Sequence, residues 1–324
     1  MAEIAQQPVG ASAGRPPQDF ADSADPGDTG DTGGTGRADG TGQPHHPRGY
    51  RGRTWPRTVV LVLGAFAFLF PFYYMVIGSL QATPDTSLAG ALPTHGLTLH
   101  NYAQINERVN LFRSLVNSGI FTSAVIVLTL IFGLLAGYAM ARLQFRGKGS
   151  LFALMLLIQI VPFQLLLIPI YVLVVRTYGL GDSYLGMILP YAINSTAVFV
   201  FRQFFMQLPE DLFSAARLDG AGEMRILWSI ALPLVRPALL TVTLLTFIGP
   251  WNEFLWPFLI TKQQDLQPLA VSLANYISNI AGRAANPAGA ILAGAVVLAA
   301  PAVALFVAFQ KHFTSSDLGS GVKG

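Results

Sequence analysis

Six long runs that are almost free of charged side chains constrain what this chain can fold into. The first, residues 59–80, contains no charge at all. A helix rises about 1.5 Å per residue, so this run covers the roughly 30 Å hydrocarbon core of a bilayer. The other five resemble it, and only two of them hold a single charged residue: 115–140, 151–175, 184–205, 238–260 and 288–309. We therefore predict an all-α, polytopic membrane protein with six transmembrane helices.

The composition agrees with a membrane environment and argues against several classes of function. Hydrophobic residues make up 52% of the chain and charged residues 11%, whereas a soluble domain carries roughly 25% charged residues. The absence of cysteine excludes disulfides and thiolate metal sites, and no other metal site is predicted. No basic run with interleaved aromatic residues indicates nucleic acid. The composition therefore predicts that the chain lies in a lipid bilayer.

The chain divides into four parts. Residues 1–55 are dominated by small and polar residues and have almost no bulky apolar side chain to bury, so we expect a disordered tail. Residues 56–112 hold the first transmembrane helix and an outer loop. Residues 113–312 hold spans two to six, and residues 313–324 form a C-terminal tail.

Lysine and arginine residues are distributed unequally between the two predicted sides of the membrane. Of the 20 in the chain, 13 flank the spans on the side of both termini and of the loop between spans four and five, and 5 lie on the other side. Positive residues are enriched on the cytoplasmic side of membrane proteins. We therefore predict a plasma membrane protein with cytoplasmic N and C termini and a cytoplasmic loop at residues 209–233.

This loop is the only long, charge-bearing segment between membrane-grade apolar runs. Pro209 suits the first turn of a helix, and Glu210 with Asp211 complement the positive charge of a helix start. Gly220 and Gly222 flank a predicted stop and turn. We predict two short helices outside the bilayer, the first with an apolar stripe formed by Leu212, Ala215, Ala216 and Leu218.

The spacing within this loop resembles a known family. Ala215-Ala216, three residues, Gly220, nine residues and then Ile230-x-Leu232-Pro233 are similar to the cytoplasmic "EAA" loop of ATP-binding-cassette importer permeases. The family's first Glu is replaced here by Ser214. The resemblance covers residues 58–324 and implies that 113–312 form the type 1 permease core. It also implies, together with a hypothesis that Glu210 supplies the missing carboxylate, a set of ATPase-coupling residues: Glu210, Ser214, Ala215, Ala216, Asp219, Gly220, Ile230 and Pro233.

The resemblance further implies the partners of this chain. They are a second, non-identical permease, a cytoplasmic ATPase dimer and an extracytoplasmic solute-binding protein. The sequence has no phosphate-binding Gly-x-x-x-x-Gly-Lys-Ser/Thr loop, so ATP would be hydrolysed by a partner and this chain would be neither an enzyme nor a holder of cofactors. Trp251-Asn252-Glu253-Phe254 and the tail at residues 319–324 are similar to segments of maltose-type permeases, which implies carbohydrate import.

Four polar residues within the spans are candidates for a solute pathway or gate. Gln159 precedes Pro162, which predicts a bend in span three. Asn194 lies mid-span, where a polar residue either lines the pathway or forms interhelical hydrogen bonds. Glu253, next to Asn252, is the only acidic residue in any span, and it either serves a gate or caps a helix.

Two rival functions remain as alternatives. A stand-alone secondary transporter of small polar solutes would typically show paired repeats and coupling carboxylates at the bilayer midplane. The sequence has no evident repeat, and Glu253 lies near the outer interface. An intramembrane hydrolase would need paired mid-span aspartates or a Ser-His constellation. The sequence predicts neither arrangement.

Overall fold

In the computed structural model of this protein, the described residues are 54–85, 87–93, 96–279 and 287–316. The predicted tail at residues 1–55 lies almost wholly outside them, and so does the end of the C-terminal tail at residues 317–324. No strand occurs in the described residues, where β-pairing is limited to one isolated bridge between Gln81 and Leu97. The helices are α1 Thr54–Leu80, α2 His100–Val109, α3 Leu111–Arg142, α4 Lys148–Ile158, α5 Phe163–Tyr171, α6 Tyr184–Ile188, α7 Ser195–Gln207, α8 Glu210–Leu218, α9 Glu223–Ile226, α10 Leu232–Leu234, α11 Arg236–Asn252, α12 Leu255–Ile260, α13 Leu269–Asn279 and α14 Pro287–Ser316.

The described helices account for six crossings of a membrane by length and composition. α1, α3 and α14 are each long and apolar enough to span alone. Three bent pairs also pass this test together: α4 with α5, α6 with α7, and α11 with the Glu223–Leu234 segment, whose residues belong to the loop predicted at residues 209–233. Counting each pair as one span gives six, which agrees with the predicted fold class.

The third span is broken where the sequence predicts a bend. α4 ends at Ile158 and α5 begins at Phe163, with an angle of 95° between them. Pro162 has no backbone N–H and adopts an extended ψ of 130°, so the helix cannot continue through it. The prediction of a bent third span is confirmed.

Spans four and five, predicted at residues 184–205 and 238–260, are also interrupted, and the sequence predicts neither break. A 49° bend separates Tyr184–Tyr191 from α7. α11 stops at Asn252, and α12 starts at Leu255 after two non-helical residues. In both places a polar side chain bonds backbone N–H groups of the next helix, which supports a new helix start.

α3 and α7 pack closely against each other. A Cβ atom added at Gly137 would lie 2.6 Å from Cβ of Phe201, and one at Gly133 would lie 3.0 Å from Cβ of Ala197. Only glycine allows helices to approach this closely. The Gly133-x-x-x-Gly137 spacing is typical of such close packing, and Phe201 is fully buried beside it.

The predicted outer loops contain helices of their own. α2 lies in the loop after α1, where the buried side chain of Asn101 donates hydrogen bonds to the carbonyls of Ser79 (2.9 Å) and Gln81 (2.8 Å). α13 lies in the loop after α12. Asn117 of α3 donates to the carbonyls of Asp265 (2.8 Å) and Gln267 (3.1 Å) and so holds the segment before α13.

Candidate functional site

The loop between spans four and five folds into two short helices, as predicted. α8 ends at Leu218, and Gly220 adopts the left-handed conformation with φ of +78°, which glycine accepts without strain. The backbone N–H of Ala221 then bonds the carbonyl of Ala216 at 2.9 Å, which closes the end of α8. α9 follows after Gly222 and continues through a π-helical segment to α10.

The buried face of α8 differs from the predicted apolar stripe. Phe213 and Ala216 are buried, whereas Leu212 and Ala215 are exposed and Leu218 is 88% exposed. Phe213 is fully buried because it packs against the ring of Tyr138 on α3, at a centroid distance of 6.4 Å. Of the four stripe residues only Ala216 is buried, and Phe213 replaces the others on the buried face because it has an aromatic partner on another helix.

Ion pairs connect the loop to itself and to α3. Arg142, the last residue of α3, pairs with Glu210, whose carboxylate also accepts from Arg217 at 3.2 Å. Arg217 donates to Glu223 at 2.8 Å. Glu223 accepts a second hydrogen bond, from the hydroxyl of Tyr138 at 2.6 Å. The Glu210 side chain is 58% exposed but has two partners within the chain, and its hypothesised contact with an ATPase remains a prediction.

The hydrogen bond from Arg217 is the main cause that lowers the pKa of Glu223, with the Tyr138 hydroxyl adding to it. The same bond raises the pKa of Arg217. Both groups are therefore charged at neutral pH, and the links across the loop are formed under physiological conditions.

Most of the predicted coupling residues lie on the outer surface of the loop. Ala216 is buried and Ile230 is half-buried, while the other predicted coupling residues are exposed: Glu210, Ser214, Ala215, Asp219, Gly220 and Pro233. Three large apolar side chains on the same loop are exposed: Leu218 by 88%, Met224 by 62% and Trp228 by 50%. The loop thus exposes large apolar side chains among its charged and polar ones.

The pathway candidates Gln159 and Asn194 lie at two neighbouring helix breaks. Asn194 caps α7 by accepting from the backbone N–H groups of Thr196 (2.9 Å) and Ala197 (3.2 Å). The Thr196 hydroxyl donates to the side-chain carbonyl oxygen of Gln159 at 2.9 Å. A cavity of about 190 Å³ opens beside them and is also lined by Thr246 of α11. Sequence reasoning missed Thr246, because it is one of three threonines on α11 and nothing in the sequence sets it apart from the other two.

Asn252 and Glu253 lie elsewhere and do not join this cavity. Asn252 donates to the carbonyl of Ile248 at 2.9 Å and lines a different, largely apolar cavity of about 430 Å³. Glu253 accepts from the backbone N–H groups of Leu255 (3.0 Å) and Trp256 (3.3 Å), so it caps α12. The capping interpretation of Glu253 is observed, and its role as a gate remains a prediction. Among the described residues no group of three acidic or histidine side chains could hold a metal ion.

This chain is similar in sequence to a known family of proteins and to several of their members. Residues 129–316 match the family model described as the binding-protein-dependent transport system inner membrane component. The arabinooligosaccharides transport system permease protein AraQ of Halalkalibacterium halodurans is 33% identical over 84% of this chain and 97% of its own length. The melibiose/raffinose/stachyose import permease protein MelC of Bacillus subtilis is 32% identical over 82% of this chain and 96% of its own length. The sn-glycerol-3-phosphate transport system permease protein UgpE of Yersinia enterocolitica is 32% identical over 79% of this chain and 92% of its own length.

A solved structure agrees in fold. The crystal structure of a bacterial ABC transporter involved in the import of the acidic polysaccharide alginate contains a chain that superimposes with a TM-score of 0.73 and 25% identity. The match covers 84% of this chain and all of that one. Fold, loop and sequence together define an ABC importer permease. The chain belongs to the family of binding-protein-dependent transport system inner membrane components. The resemblance stated from the loop spacing is confirmed, and no match favours a stand-alone secondary transporter.

Proposed function

We propose that this chain is one of two permease subunits of an importer for carbohydrates or related polyols, and that the loop at residues 209–233 receives a separate ATPase. Relatives that are named for oligosaccharide or glycerol phosphate transport support this substrate class. The single observation that supports coupling is the loop itself, which has the family spacing and exposed apolar side chains. The substrate specificity of the importer would be set jointly by the permease subunits and by a binding protein that presents the solute.

Docking of the ATPase would rest on apolar contacts. Ser214 replaces the family's carboxylate, and Glu210 is engaged by two arginines of this chain. Leu218 is the most exposed of the three and, with Met224 and Trp228, offers apolar area that a partner would remove from water. Buried apolar and aromatic anchors contribute most of the affinity of typical protein interfaces.

The arrangement of the spans supports a second permease subunit. None of the most apolar 18-residue stretch of α1 is buried within this chain. A non-identical partner that packs against α1 would complete the bundle, and the cavity beside Asn194 and Thr196 would then form part of a shared solute pathway. In this proposal the termini and the loop are cytoplasmic, a solute-binding protein docks on the opposite side, and the chain itself has no cofactor and no enzymatic activity.

Co-purification followed by transport measurement tests the proposal. The chain is expressed with its partner permease, ATPase and binding protein, and the complex is reconstituted for ATP-driven uptake of raffinose or arabinotriose. We expect Leu218→Asp to lose the ATPase during purification in mild detergent. The matched control is Phe145→Asp, which places the same charge at an exposed apolar position on the same predicted side but outside the loop. Retention of the ATPase by Leu218→Asp, or ATP-independent uptake by this chain alone, would contradict the proposal.

A further inference from the structure

The loop at residues 209–233, which we call the coupling loop, is bonded to the end of α3. It is also continuous with the spans that precede and follow it in the chain. The Arg142 side chain is only 8% exposed, and besides Glu210 it contacts the backbone carbonyls of Phe205 and Leu208, where α7 leads into the loop. Its guanidinium carbon also lies 4.1 Å from the ring centroid of Phe213. One side chain of α3 thus holds the start of α8 by charge, hydrogen bonding and cation–π contact.

A second link lies one helical turn earlier on the same face of α3. Tyr138 and Arg142 are four residues apart, so their side chains project in the same direction. The Tyr138 hydroxyl donates to Glu223 at 2.6 Å, which holds the start of α9. The Tyr138 ring packs edge-on against Phe205 at 5.4 Å. α3 therefore contacts the first residue of each loop helix.

Arg217 joins these two links within the loop. It bonds Glu210 at 3.2 Å and Glu223 at 2.8 Å, so α8 and α9 are tied to each other as well as to α3. Exposed ion pairs contribute little singly, but here each carboxylate has two partners and the network lies over the fully buried Phe213 and Ile226. We call this network the loop clamp, formed by Tyr138, Arg142, Glu210, Arg217 and Glu223.

We propose that Tyr138 and Arg142 are positioning residues that make the coupling loop and α3 move as one body, an inference that rests on the proposed ATPase-coupling function of the loop. A displacement of the loop would then move α3, the second span, directly. It would pass on to α7, because α3 and α7 pack closely at Gly133 and Gly137. The clamp to α3 would then add a route to the two connections along the chain, which lead back into α7 and through Pro233 into the fifth span.

The ratio of solute imported to ATP hydrolysed tests this proposal in the reconstituted complex. Arg142→Met is expected to lower that ratio by about tenfold, within the range of typical coupling between sites, while ATP hydrolysis continues. Arg142→Lys should be intermediate, because an ammonium cannot reproduce the planar contacts of the guanidinium. The control Arg146→Met removes an exposed arginine that lies close to the same end of α3 in the sequence but is not part of the clamp. It should leave the ratio unchanged.

Tyr138→Phe has a matched control in Tyr184 of α6, whose hydroxyl bonds the opposite end of α3. Tyr138→Phe keeps the ring and removes only the bond to Glu223, and it should also reduce the ratio. Tyr184→Phe removes a bond of similar length, 2.7 Å to Asn117, far from the loop. It should not change the ratio. Equal ratios in wild type, Arg142→Met and Tyr138→Phe would overturn the proposal, whereas a wild-type complex that fails to couple ATP to uptake would overturn the proposed function instead.

A covalent replacement of the clamp keeps the proposal testable if a single variant folds poorly. The chain contains no cysteine, so Tyr138→Cys and Glu223→Cys can be combined and joined by a bifunctional thiol reagent. If α3 and the loop move together, the double variant is uncoupled before treatment and regains its coupling ratio afterwards. Transport that stops on cross-linking would show that these two elements must separate during the cycle, and the proposal would be wrong.

Discussion

Replacing Gly137 by alanine tests whether close contact of α3 and α7 stabilises the bundle. The added Cβ would lie 2.6 Å from Cβ of Phe201, 3.1 Å from the backbone nitrogen of Arg202 and 3.2 Å from the carbonyl oxygen of Val198. Two of these atoms are backbone, and the third is bonded directly to it, so no rotamer change relieves the overlap. Carbon atoms pack best at about 3.5–4.0 Å. The helices would therefore have to separate by about 1 Å, which for an overpacked core costs about 1–3 kcal/mol.

Two other glycines of α3 provide the comparison. Gly119 has nothing within 4 Å of an added Cβ, and at Gly133 the nearest atoms are the Ala197 Cβ at 3.0 Å and the ring of Phe201. All three substitutions gain the same helix propensity, roughly 1 kcal/mol. We expect thermal unfolding in detergent to rank the stabilities as Gly119→Ala above Gly133→Ala above Gly137→Ala. A Gly137→Ala variant as stable as Gly119→Ala would refute the reasoning.

Three further outcomes are expected. Asn101→Ala should destabilise the chain by about 1–3 kcal/mol for each buried carbonyl that loses its donor, measured by thermal unfolding, and an unchanged midpoint would contradict the bonding role. Asn194→Ala should cost about 0.5–2 kcal/mol through loss of the α7 cap, whereas Asn194→Ser, which retains a capping oxygen, should restore most of it. The pKa of Glu223 is lowered by its bond to Arg217, so its stabilisation is present above the unfolded pKa of about 4.3 and is lost as pH falls through the folded value. The difference in unfolding midpoint between wild type and Glu223→Gln should thus shrink below about pH 4, and a difference that persists in acid would contradict the assignment.

The number of spans could be predicted from sequence because the thickness of the hydrocarbon core fixes how long an apolar run must be to cross it. The bend at Pro162 was also predictable, since proline removes a backbone donor at a known position. The breaks at Asn194 and Glu253 were not predicted. Each lies inside an apolar run that reads as one helix, and its capping bonds become visible only in three dimensions. An asparagine just before Ser-Thr-Ala is a helix-start signal that the surrounding apolar residues outweighed.

In the coupling loop, too, some features could be predicted from the sequence and others could not. Its two helices and the turn at Gly220 follow from local residues, and both were predicted. The side that α8 buries depends on Tyr138, and the partner of Glu210 is Arg142; both belong to a helix far away in the sequence. Local spacing therefore gave the elements but not the contacts between them.

The bare surface of α1 has a consequence for how much of this protein a cell can keep. Until the proposed second permease covers it, the most apolar stretch of this helix would face lipid. We expect membrane proteases to remove chains made in excess, so the abundance of this subunit should follow that of its partner rather than its own rate of synthesis. Stoichiometry would then be enforced by degradation.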